Sequence, residues 1–178
     1  FRVTYDPKTE ILVTVGVSEA LDIAFRAVLN PGDEVIYHEP CYVSYSPSIK
    51  MAYGVPVVVE TREENQFALM AADVEKAITP KTKAIMLAHS LGNPFNLDVV
   101  TALCKKYNLW LVEDCCDALG STYRGQMVGT FGDIATLSFY PAHHITMGEG
   151  GAVFTNNPEL KLIAESFRDW GRDCYCPP

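Results

Sequence analysis

Short apolar runs alternate along this chain with stretches whose apolar residues recur at helical spacing. Ile11 to Val15 is an apolar strand that stops at Gly16. From Ser18 to about Leu29 the apolar residues Leu21, Ala24, Phe25 and Val28 fall on one face of a helix, with Ser18 as its expected N-cap. Asn30-Pro31-Gly32-Asp33 stops that helix and turns the chain. Further strands are expected at Glu34 to His38, Pro56 to Glu60, Lys83 to Ala88, Leu109 to Val112, Ile134 to Phe139 and Gly151 to Phe154. Between and after them, helices are expected at Ser44 to Tyr53, Asp73 to Ile78, Leu97 to Tyr107 and Pro158 to Trp170. The pattern predicts an α/β fold: a seven-stranded, mostly parallel sheet with helices on both faces, three layers in all.

In such sheets, ligands sit at the carboxyl ends of the strands. Each strand end therefore has two readings. Gly16 and Ser18, followed by Glu19, form either a phosphate-binding helix start or a plain cap. Tyr42 either stacks on a flat ring or packs as a core aromatic. Asn93, in Leu91-Gly92-Asn93-Pro94, either donates to a ligand oxygen or makes a turn. Asp114 ends an apolar strand, where a carboxylate needs a partner. A protonated pyridine nitrogen, a salt bridge and a helix cap would each serve, and Asp117 follows three residues later. Ser138, Tyr140, Pro141 and the pair His143-His144 lead into Gly148-Glu149-Gly150-Gly151, an arrangement suited to an active-site loop. A histidine there can carry protons near neutral pH. Adjacent histidines usually point apart, which disfavours a two-histidine metal site.

Composition narrows the class. The chain has 178 residues, enough for one domain with a core. A formal net charge of −8 argues against nucleic acid or an anionic membrane as the main partner. No apolar run is long enough to cross a bilayer. Six cysteines, four of them inside expected elements, and no secretion signal suggest reduced thiols in the cytoplasm. There is no GxGxxG after a strand, no GxxxxGK[ST] and no GxSxG, so dinucleotide, P-loop and α/β-hydrolase readings lose their support. The chain starts at Phe1 and stops at Pro178, which reads as a single large domain truncated at both ends.

Two stretches resemble branches of the fold-type I pyridoxal-phosphate superfamily. TEILVTVGVSEALDIAFRAVLNPGDEVIYHEPCYVSYSP, within residues 5–87, is similar to class I aminotransferases. GNPFNLD, LWLVEDCCDALG, GTFGDIATLSFYPAHHITMGEGGAVFT and ESFRDWGRDCYC, within residues 91–176, resemble the nucleotide-sugar aminotransferase and dehydrase family. Within it they are most similar to the CDP-4-keto-6-deoxyglucose 3-dehydrases. The change of resemblance suggests a chimeric join near residues 88–90.

The resemblance implies pyridoxal phosphate or pyridoxamine phosphate as cofactor. It places the phosphate on Ser18, the backbone after Gly16 and Ser138, the ring under Tyr42, its phenolic oxygen near Asn93 and Asp117, and its nitrogen on Asp114, with Glu19 also among the cofactor-binding residues. His143 takes the position at which aminotransferases carry the lysine that binds the cofactor covalently. In the dehydrases this histidine is a base acting while the sugar's C3 hydroxyl leaves. Cys174 and Cys176 match the start of an iron–sulfur motif, but a [2Fe–2S] cluster needs about four ligands and is not expected within this chain. A nucleotide-linked keto-sugar or an amino acid is the expected substrate and a homodimer the expected assembly. An aminotransferase and a silent scaffold domain are the alternative readings.

Overall fold

A computed structural model describes residues 5–172. The strands of its main sheet are β1 (Ile11–Val15), β2 (Glu34–Glu39), β3 (Val55–Glu60), β4 (Thr82–Ala88), β5 (Trp110–Asp114), β8 (Ile134–Ser138) and β9 (Gly150–Phe154). Their order across the sheet is β1-β9-β8-β5-β4-β2-β3. Only β9 runs against its neighbours, and every other pairing in the sheet is parallel. The predicted seven-stranded, mostly parallel sheet is therefore what forms.

The middle strands are buried on both faces. Every residue of β8 is buried, as are four of five in β5. Five helices cover them: α1 (Gly16–Val28), α2 (Tyr45–Met51), α3 (Ala71–Ala77), α4 (Leu97–Tyr107) and α5 (Pro158–Arg168). The helices α1, α2 and α5 pack on one face, where Leu21, Phe25, Ile49 and Leu160 meet Val112 and Ile134 of the sheet. On the other face α3 and α4 place Val74, Leu97 and Val100 against Ile85, Leu87 and Leu111. Among the described residues no helix is long and apolar enough to cross a membrane.

Some boundaries differ from the sequence expectation. Ser18 does not cap α1. The chain turns into the helix two residues earlier, at Gly16, whose φ of +67° is a left-handed value that glycine adopts freely. The orphan N–H of Val15 is taken by the Glu19 carboxylate. The helix predicted at Ser44 to Tyr53 is shorter at both ends, and α5 stops at Arg168. A two-stranded hairpin, β6 (Thr122–Tyr123) and β7 (Gln126–Met127), was not anticipated. Arg124 and Gly125 at its tip both have positive φ, the pattern of a tight hairpin turn. The capping of α4 and α5 follows simple rules: Asn96 and Asn157 accept backbone N–H groups of the first turn, and Pro158 opens α5.

β5 runs two residues beyond its apolar stretch, because both terminal carboxylates find partners. Successive strand residues face opposite sides, so Glu113 and Asp114 point to different layers. Glu113 is fully buried. It accepts the N–H of Gly129 at 2.8 Å and of Phe131 at 2.9 Å, and that of Gly132 as well. His89 Nε2 approaches it at 2.9 Å, and the His89 ring stacks on Phe95 at 4.4 Å. His89, Glu113 and Cys115 lie close enough to suggest a metal trio. The carboxylate is already saturated by these four donors, so the group reads as a tie between β4, β5 and the segment entering β8.

Glu113→Gln turns one acceptor into a donor that faces N–H groups. It is expected to cost about 3 kcal/mol of folding stability, measured by urea unfolding followed by circular dichroism. A loss below about 1 kcal/mol would show that the 129–132 segment is held by other contacts.

Candidate active site

Sheet register brings the carboxyl ends of the parallel strands to one level. Ala88 pairs with Asp114, Asp114 with Thr136, Ser138 with Gly151, and Val15 with Gly150. A cavity of about 420 Å³ opens there. It lies where ligands bind in open α/β sheets.

One end of the cavity is the start of α1. Gly16, Val17 and Ser18 line it, with Ser138 and Gly150 beside them. Gly151 holds this corner together. A Cβ on Gly151 would lie 2.4 Å from the Gly16 backbone, so β9 can press against the helix start only because that residue is glycine. The first-turn N–H groups and the positive end of a thirteen-residue helix suit an anion. Ser138 is buried, and its Oγ accepts the Tyr140 N–H at 3.2 Å while its own hydrogen stays free to donate.

Asp114 lies at the cavity floor and is 5% exposed. Its Oδ2 accepts the Tyr45 hydroxyl at 2.7 Å and its Oδ1 accepts the Cys116 N–H at 3.0 Å. Burial first, and then the Asp114 charge, push both the Tyr45 hydroxyl and the Cys116 thiol far up, so both stay protonated. Tyr42 is half-exposed at the cavity, edge-on to Tyr45 at 5.7 Å.

The loop after β8 supplies His143. Its side chain lines the cavity, with Nδ1 3.3 Å from Asp117 Oδ1. Asp117 Oδ2 faces the Leu91 N–H at 3.4 Å, which steadies the carboxylate. An Nδ1–H directed at Asp117 leaves Nε2 as the basic nitrogen. Among the described residues no lysine lines the cavity.

Seven of the nine residues expected at a cofactor site therefore meet here: Gly16, Ser18, Tyr42, Asp114, Asp117, Ser138 and His143. Two do not. The Glu19 carboxylate is spent on the Val15 N–H, outside the lining. Asn93 is exposed and closes the short helical turn of Ser90–Gly92 through its own backbone N–H, so the turn reading of Leu91-Gly92-Asn93-Pro94 prevails. Cys174 and Cys176 lie outside the described residues. Tyr45, His89 and Cys116 line the cavity and were not singled out from sequence. Tyr45 lies on a helix 69 positions from the carboxylate it bonds, which no local pattern could reveal.

The chain is similar to known proteins in sequence and fold. The chain is 61% identical, over 94% of its length, to lipopolysaccharide biosynthesis protein RfbH of Salmonella typhimurium, of which it covers 40%. It is 52% identical, over 86% of its length, to the dTDP-4-dehydro-2,6-dideoxy-D-glucose 3-dehydratase of Saccharopolyspora spinosa, covering 33% of that protein. It thus spans less than half of these relatives. Among solved structures, ntda from Bacillus subtilis, determined with bound cofactor PMP, superposes with a TM-score of 0.80 at 31% identity, over 88% of this chain and 35% of that one. The DegT/DnrJ/EryC1/StrS aminotransferase family pattern matches residues 5–175. The chain belongs to that family.

Proposed function

We propose that this chain is the cofactor-binding domain of a vitamin B6-dependent enzyme acting on a nucleotide-linked keto-sugar, a 3-dehydrase in which His143 replaces the covalent lysine. The observation that carries this reading is the lining of the cavity. It offers an anion cradle, a buried carboxylate and an Asp-backed imidazole, without a lysine. The residues fit pyridoxal phosphate or pyridoxamine phosphate: the cradle at Gly16 is open to backbone approach, and the donors around Asp114 leave it able to accept one more. The naming of a relative 52% identical as a 3-dehydratase of a dTDP-linked sugar points the same way.

In this reading the α1 N-terminus, Ser18 and Ser138 hold the phosphate. Tyr42 covers one face of the ring. Asp114 holds a proton on the ring nitrogen. The bound ring then supplies an electron sink that stabilises developing negative charge. His143 Nε2 accepts and returns a proton, and Asp117 fixes its tautomer and aim. Without a lysine the cofactor is held by these contacts alone. We further propose a cytoplasmic homodimer, by analogy with the superfamily. A second reading, an aminotransferase, is favoured by the family's composition and requires a lysine that reaches the cofactor.

Two measurements test this. The purified chain is mixed with pyridoxal phosphate or pyridoxamine phosphate, freed of excess ligand, read by absorbance, reduced with borohydride and weighed. Retention with no covalent mass gain is expected. A gain mapped to one lysine would instead establish the aminotransferase reading, and retention of neither cofactor would leave a silent scaffold. Separately, Asp114→Ala is expected to weaken pyridoxamine phosphate binding about tenfold or more, since a charge-assisted hydrogen bond is lost. An unchanged affinity by calorimetry would remove Asp114 from the site.

A further inference from the structure

We propose that Tyr45 is a positioning residue for Asp114: its hydroxyl sets the plane and charge of the carboxylate that receives the ring nitrogen. The proposal rests on the cofactor reading above and adds to it a residue from a different part of the chain.

The geometry is specific. Tyr45 is 3% exposed, opens α2 and packs in the core shared by α1 and α2. Its Oη is 2.7 Å from Asp114 Oδ2, a short bond of the kind made to a carboxylate. The other oxygen takes the Cys116 N–H at 3.0 Å. A carboxyl at a strand end otherwise rotates broadly about its last torsion. One donor on each oxygen pins that rotation and leaves a free lone pair on each for a group in the cavity. Burial and the neighbouring carboxylate keep the Tyr45 hydroxyl protonated, so it acts only as a donor to Asp114.

A donor bonded to Asp114 favours the carboxylate over the neutral acid. A proton shared between Asp114 and a ring nitrogen is thereby kept on the nitrogen, where it deepens the electron sink. Tyr45 also meets Tyr42 edge-on at 5.7 Å. One side chain thus braces both the carboxylate under the nitrogen and the aromatic proposed to cover the ring.

The test uses pyridoxamine 5′-phosphate labelled with ¹⁵N in the ring, bound to the wild-type chain and to Tyr45→Phe. The variant keeps the ring and removes only the hydroxyl. The ¹⁵N resonance of the bound label is expected to move toward the unprotonated pyridine value in Tyr45→Phe, with affinity about fivefold to tenfold weaker. A merely structural role would lower the unfolding temperature and leave the resonance in place, and that result overturns the proposal alone. Failure of the wild-type chain to retain the label overturns the cofactor reading and this proposal with it. Where the variant is too unstable to study, the wild-type hydroxyl proton of Tyr45 is followed by NMR. It is expected to shift when the label binds, and an unmoved resonance overturns the proposal.

Discussion

Two neighbouring carboxylates end the central strand β5, and burying them side by side is the constraint around which the rest is arranged. A carboxylate in an apolar layer is costly unless donors surround it. Strand alternation sends Glu113 to one face and Asp114 to the other. Glu113 collects three backbone N–H groups and His89, which ties the segment before β8 to β4 and β5. Asp114 collects Tyr45 and Cys116 and opens onto the cavity. One side chain therefore builds the frame and the next one faces the cavity.

The rest of the cavity follows from register. Parallel pairing places Ala88, Asp114 and Thr136 at one level, and the reversed strand β9 brings glycines to the same edge. Gly151 lets β9 touch the start of α1, so the helix start and the sheet carrying Asp114 are packed directly together. The loop carrying His143 links β8 to β9, and Asp117 meets it from the segment that immediately follows β5. The His143 imidazole, the Asp114 carboxylate and the start of α1 come from separate elements anchored to a common sheet, the arrangement that precise positioning requires.

Family membership and proposed chemistry stand at different levels. The family pattern and the fold speak to an aminotransferase ancestry. In the proposed reading His143, with Asp117 behind it, carries protons, because an imidazole cannot substitute for a lysine as a covalent anchor. The frame depends on Glu113 and the glycines, and the proposed chemistry on His143 in the β8–β9 loop.

Much of this protein was legible from the order of its residues. Apolar runs of strand length separated by amphipathic stretches determined the seven-stranded α/β architecture, because that periodicity has few other ways to be buried. Strand-end residues such as Gly16, Asp114, Ser138 and His143 were legible for the same reason: strand ends in such sheets converge. Local alternatives competed at the start of α1, where Gly16 with its left-handed φ rather than Ser18 began the helix and Glu19 took the Val15 N–H four residues back. Only the folded chain decided that Tyr45 reaches Asp114 across 69 positions, that His89 and Glu113 pair in the core, and that Asn93 lies outside the cavity lining. Periodicity reports which face of an element is buried. It carries no record of which distant donor will satisfy a buried carboxylate, because that choice is made by packing between layers.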